Sequence, residues 1–245
     1  MCLLVVRYKI RTIRPPVSMT KREIRFSSRV PSLVEKKRLS RDSTDDPEAY
    51  QLYLKGRYYW DKRTPDSLAK SKDYFQQAID KDPNYVLAYV GMAEYYYVLS
   101  DYTYTSSAET APKLKAAATR VLALDDNQAE AHAMLAGAYD GDFDWAAAAR
   151  EYERALQLDP NNARTHVLYG LHFSTVGNID QALVHFHKAV QLDPLNLNAL
   201  MNVGSAYFTA RRYDEAIAQV NKVLEIDPDY GAAHQTLSLV YQAQG

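Results

Sequence analysis

From residue 49 onward, small, apolar and polar positions recur along the chain with a fixed spacing. Residues 129–162, 163–196 and 197–230 form three consecutive copies of 34 residues. Small residues return at the eighth position (Ala136, Gly170, Gly204), and aromatics at the eleventh (Tyr139, Phe173, Tyr207). Alanines return at the twentieth (Ala148, Ala182, Ala216), and an Asp-Pro pair closes each copy at Pro160, Pro194 and Pro228. A period of this length predicts one antiparallel helix pair, A then B, per copy. Small residues at positions 8 and 20 let the two backbones approach. Tyr152 or Phe186 at position 24 fills the remaining volume. Proline cannot continue helix B, so the chain turns there.

Two earlier copies are looser. Residues 49–85 place Gly56, Tyr59, Phe75 and Ala78 in register if three residues are inserted near Arg63-Thr64-Pro65. Residues 86–128 place Tyr89, Ala93 and Tyr96 in register with nine inserted around Asp101–Ser107. Leu114 then occupies the twentieth position, which predicts a wider helix spacing in that pair. Residues 231–245 supply one last helix A, with His234, Leu237, Ser238 and Tyr241 in register. Its Leu239, Val240 and Tyr241 are more apolar than the polar outer face expected of a capping helix, which reads as a piece of a longer chain. The expected fold is all-α, with eleven helices over 49–245, preceded by a basic, disordered segment over 1–48.

This pattern resembles the tetratricopeptide repeat family, and the resemblance makes the helices a right-handed superhelical solenoid. The segment YLKGRYYWDKRTPDSLAKSKDYFQQAIDKDPNYVLAYVGMAEYYY is further similar to the repeat tails of bacterial multidomain signalling proteins. In those, a winged-helix DNA-binding domain or a Ser/Thr kinase domain precedes the repeats. Residues 36–60 fit the junction ahead of such a tail. Neither a Gly-rich loop nor an HRD-type catalytic loop occurs here, so neither upstream activity is carried over.

The resemblance implies a non-catalytic interaction module that holds a protein or peptide in a concave groove lined by the A helices. Groove positions are 2, 5, 6, 9, 12 and 13. They assign Tyr53, Arg57 and Trp60 in the first repeat, and Val90, Glu94 and Tyr97 in the second. Glu130, Met134 and Asp140 follow in the third, then Arg164, Val167, Leu168 and Leu171 in the fourth. Met201, Asn202 and Phe208 complete the set. The groove so built is aromatic at one end and aliphatic in the middle, suited to a peptide that buries side chains. The Tyr-rich loop of the second repeat is a further expected docking surface. Chaperone-binding relatives grip a carboxylate with Lys at position 5 and Asn at position 9. Here those positions read Tyr53/Arg57, Val90/Glu94, Ala133/Gly137, Val167/Leu171 and Met201/Ser205, so no carboxylate clamp is expected.

Charge changes the picture at one end only. Residues 1–41 hold twelve bases and two acids, a net +10, whereas the rest carries −11. Such an arm can bind nucleic acid through counterion release, but no nucleic-acid-binding motif accompanies it, so that reading is disfavoured. The aliphatic run at Leu3–Val6 is too short for a secretory signal, and no apolar run spans a membrane. A cytoplasmic location is expected. The lone Cys2 excludes an internal disulfide. His132, His166 and His234 share position 4 in different repeats and so cannot share one ion, whereas a meeting of His172 with His185 is conceivable. A metal site usually needs three or four convergent ligands, so neither metal nor cofactor is expected. With no paired acids, Ser–His arrangement or phosphate-cradling loop, neither is enzyme activity.

Overall fold

The computed structural model describes residues 44–102 and 106–244. The expected basic segment lies outside these apart from its last residues, and so do residues 103–105 of the Tyr-rich loop. Eleven helices appear among the described residues, and no strand. They pair as α1 (Pro47–Trp60) with α2 (Pro65–Lys81), and α3 (Val86–Tyr102) with α4 (Ser107–Leu124). The third and fourth pairs are α5 (Ala129–Gly141) with α6 (Trp145–Leu158), and α7 (Ala163–Thr175) with α8 (Ile179–Leu192). The last pair is α9 (Leu197–Thr209) with α10 (Tyr213–Ile226), and α11 (Gly231–Gln244) stands alone. The molecule is an all-α solenoid of helix pairs. The helix start at Pro47 precedes the nominal start of the first repeat by two residues, because Asp46 caps it through the amides of Glu48 and Ala49 at 2.7 and 3.2 Å.

The ends of the helices follow from single polar residues. Asn162, Asn178 and Asn196 accept the amides of Thr165, Gln181 and Ala199 at 3.0–3.3 Å, satisfying donors that a first helical turn leaves orphaned. The Asp of each Asp-Pro turn has two tasks. Its amide donates back into helix B, as Asp159 does to Ala155 at 2.9 Å. In Asp82, Asp159 and Asp227, and in Asp125 of the related Asp125-Asp126 turn, the carboxylate accepts the amide two residues on at 2.9–3.2 Å, whereas Asp193 accepts the Asn196 side-chain amide at 3.2 Å. The A–B turns pass through a left-handed residue at position 15. It is Gly177 (φ 83°) in the fourth repeat but Arg63 (51°), Phe143 (61°) and Arg211 (58°) elsewhere. A side chain in that conformation costs roughly 1–2 kcal/mol, so three of these turns carry strain that glycine removes in the fourth.

Within pairs, packing is backbone against ring. A β-carbon on Gly56 or Gly170 would lie 2.5 Å from Phe75 or Phe186, and one on Gly204 would lie 2.7 Å from Val220. Position 8 therefore has to be small where position 24 is large. Between pairs, each A helix touches the A helices on either side of it, whereas no two B helices touch among the described residues. The A helices thus form the inner layer and the B helices the outer one.

Candidate functional site

The inner layer is where the predicted groove residues fall. Glu94 from α3, Glu130 and Met134 from α5, and Arg164 and Leu168 from α7 surround one small cleft of about 30 Å³. The Arg57 guanidinium of α1 pairs with the Glu94 carboxylate and lies 4.4 Å from the Trp60 ring centre. The Arg164 guanidinium lies 4.7 Å over the Tyr97 ring. One continuous polar and aromatic track therefore links α1, α3, α5 and α7.

Other predicted residues are placed differently. Trp60 is buried, with Arg63 covering its face at 3.4 Å, and Met134 and Met201 are buried as well. These three are mainly packing residues, although the edge of Met134 reaches the cleft. Tyr53 is half-buried against Phe75 and Tyr85, and burial raises its hydroxyl pKa. Val90 packs into a small cluster with Val86, Val121 and Ala131. Val167 is half-buried, and Leu171 is 42% exposed. Asn202 and Phe208 are half-buried on α9, away from the cleft, with Phe208 6.1 Å from the Tyr213 ring.

Asp140 is occupied within the fold. Its two oxygens accept from His172 Nδ1 at 2.6 Å and from the Tyr152 hydroxyl at 3.1 Å, which ties the third repeat to the fourth. Burial pushes the Tyr152 hydroxyl far up, and the nearby Asp140 charge adds to this. Ala133, at groove position 5, also lines the cleft, as do Asn162 and Thr165, which the repeat register does not place in the groove. Asn162 caps α7 through the Thr165 amide, and its flank also faces the groove.

The histidines obey one rule. At position 4, His132, His166 and His234 aim Nε2 at the backbone carbonyl six residues earlier, at 2.8–3.2 Å. With that nitrogen donating, Nδ1 faces position 23 of the same pair. It meets Glu151 Oε2 at 2.6 Å in the third repeat and His185 Nδ1 at 3.0 Å in the fourth. The contact to His185 is thus made by His166, and His172 turns to Asp140 instead. The His166 Nδ1 lone pair accepts the one proton available between the two rings. Burial and the neighbouring His166 push His185 down to about 4, and burial also lowers His166. Among the described residues no group of three or more His, Cys, Asp or Glu side chains is placed to hold a metal ion. No described helix is long and apolar enough to cross a membrane.

Residues 175–240 match the family model of the tetratricopeptide repeat. The fold is the tetratricopeptide repeat. A thermophilic tetratricopeptide repeat protein of Thermus thermophilus superposes with a TM-score of 0.64 at 17% identity, covering 79% of this chain and 99% of that one. YrrB, a tetratricopeptide repeat protein with an unusual peptide-binding site, gives 0.54 at 18% identity, with 83% and 96% covered. The Cut9–Hcn1 hetero-tetramer of the APC/C gives 0.62 at 18% identity, with 80% and 40% covered. At these identities the likeness is one of fold. No curated protein matches the sequence. A tetratricopeptide repeat fold suggests a scaffold for protein–protein interaction.

Proposed function

We propose that the protein is a non-catalytic scaffold that holds a partner protein segment along the A-helix layer. The observation that carries this reading is the cleft between α3, α5 and α7, with Leu171 exposed beyond it. The Arg57–Glu94 pair and the Arg164–Tyr97 stack hold the walls in place before a partner arrives, which lowers the ordering cost of binding. Glu130 is exposed and makes no ion pair among the described residues, so it is free to meet a partner's donor. YrrB, described as having a peptide-binding site, lends the reading support by analogy of fold.

The test begins with a partner recovered from source cells on the immobilised chain and identified by mass spectrometry. Its affinity is then measured against Leu171→Arg and Glu130→Lys. We expect each to weaken binding about tenfold or more, the range of a buried interface anchor, with an unchanged circular dichroism spectrum. Unchanged affinity in both variants would count against the groove. We also propose, from the resemblance of residues 53–97, that the solenoid serves as the interaction tail of a larger bacterial regulator or kinase. An immunoblot of source cells against residues 129–230 tests this. A band well above the 27.8 kDa of this chain supports the tail, and a band at that mass supports a free-standing adaptor.

A further inference from the structure

We propose a second docking site, on the outer face where the first two repeats meet, that takes an apolar side chain flanked by acidic residues on a partner protein. It is independent of the groove, because it opens between the B helices α2 and α4 rather than along the A helices.

Position 23 lines the crevice. That position covers position 4 of its own pair. It is Glu151 over His132, His185 over His166, and Gln219 beside a buried Leu200. In the second repeat it is Ala117, and its neighbour is Ala116. Two methyl groups cannot reach as far as an imidazole or a carboxamide. A crevice of about 360 Å³, open to solvent on one side, lies over Ile79, Met92 and Tyr96. Tyr89, at position 4, forms one wall and is fixed by its hydroxyl, which donates to the Pro83 carbonyl at 3.3 Å.

The rim sets the chemistry of the occupant. The charged residues that line the crevice are Lys113 and Arg120, both exposed and two turns apart on α4. Arg120 donates to the Pro83 carbonyl at 3.0 Å and lies 5.5 Å over Tyr89, so its charge is positioned but not neutralised by a carboxylate. Lys113 has no ion-pair partner among the described residues. The equivalent crevice between α8 and α10 is of similar size but differs in charge, since Lys222 bonds to Gln219 on its wall and the Glu225 carboxylate also lines it. An apolar floor under two unneutralised cations matches an aromatic or aliphatic anchor with Asp or Glu beside it.

The probe is a fluorescein-labelled, end-capped hexapeptide, Glu-Asp-Phe-Leu-Glu-Asp, titrated onto the full chain by fluorescence anisotropy. Saturable binding is expected, at least tenfold tighter than for Lys-Lys-Phe-Leu-Lys-Lys or Glu-Asp-Ser-Ser-Glu-Asp. Ala117→Gln installs the side chain that the fifth repeat already uses at this position and should weaken binding at least tenfold. Lys113→Glu, a surface change, should weaken it about fivefold. Leu171→Arg, in the groove, should leave it unchanged. Absence of saturable binding overturns the proposal, as does equal affinity in Lys113→Glu and in a folded Ala117→Gln. Loss of binding in Leu171→Arg instead would assign the peptide to the groove and also overturn it.

Discussion

The two ends of the solenoid are held together differently. From α1 to α5 one continuous buried cluster runs from Ala49 to Ala138, organised around Phe75. Beyond α5 the core breaks into separate clusters at successive junctions: Tyr152 with Tyr169, Phe186 with Val203, and Val220 with Ala233. The cause is side-chain reach. Twelve of the twenty tyrosines fall between residues 50 and 104, and long rings bridge from one pair to the next. Phe75 shows the extreme, since a β-carbon on either Gly56 of its own pair or Gly91 of the next would lie within 2.7 Å of its ring. The third and fourth repeats keep a ring at the position of Phe75 (Tyr152 and Phe186), and the fifth has Val220, yet each of these packs into its own local cluster, so each junction stands more nearly alone. In a linear array, stability is roughly the sum of repeat terms and nearest-neighbour terms. The N-terminal half has strong coupling, and the C-terminal half weaker coupling.

The sharpest way to break this comparison is to delete the two phenylalanines in turn. Phe75→Ala and Phe186→Ala each remove a fully buried ring and should cost about 3–5 kcal/mol in urea denaturation. Their spread should differ. Phe75→Ala should lower amide hydrogen-exchange protection from α1 through α5 together, and Phe186→Ala only in α7 to α9. Equal spread would erase the contrast.

A smaller effect separates the halves by pH. The folded His185 resists protonation down to about 4, against an ordinary value of 6.5. The unfolded chain takes up the proton first as the medium is acidified. Stability from this pair is therefore full above pH 6.5 and is lost as pH falls toward 4. Thermal melts across that range should show the decline, and His185→Gln should flatten it. Protection should fall first in α7 and α8, with α1 to α5 unaffected.

The smallest effect tests the turns. Gly177→Ala should cost about 1 kcal/mol by thermal denaturation, and Arg211→Gly should gain somewhat less, because glycine also raises the entropy of the unfolded chain.

Much of the fold was legible because the repeat acts through residue size. Gly170 opposite Phe186 states its role in the sequence itself, whereas the caps Asn162 and Asn196 emerged only from the structure. The site was less legible. Position within a repeat tells which way a residue points, but not whether a neighbour already occupies it. Asp140 points inward and is consumed by His172 and Tyr152, which sit 32 and 12 residues away. The pairing of His166 with His185 depended on which nitrogen each ring had left, and that follows from the Pro160 carbonyl rather than from spacing.

That carbonyl contact also bears on how such a chain changes length. His132, His166 and His234 each read the same backbone atom of the preceding turn, whatever residue supplies it: Asp126, Pro160 or Pro228. A junction that recognises main chain is indifferent to which cassette comes before it. Excising residues 129–162 would bring the Asp126 carbonyl to His166 and restore the same joint. Whole repeats are thereby exchangeable parts, and the reach of the scaffold becomes a quantity that duplication and deletion can adjust without redesigning a seam.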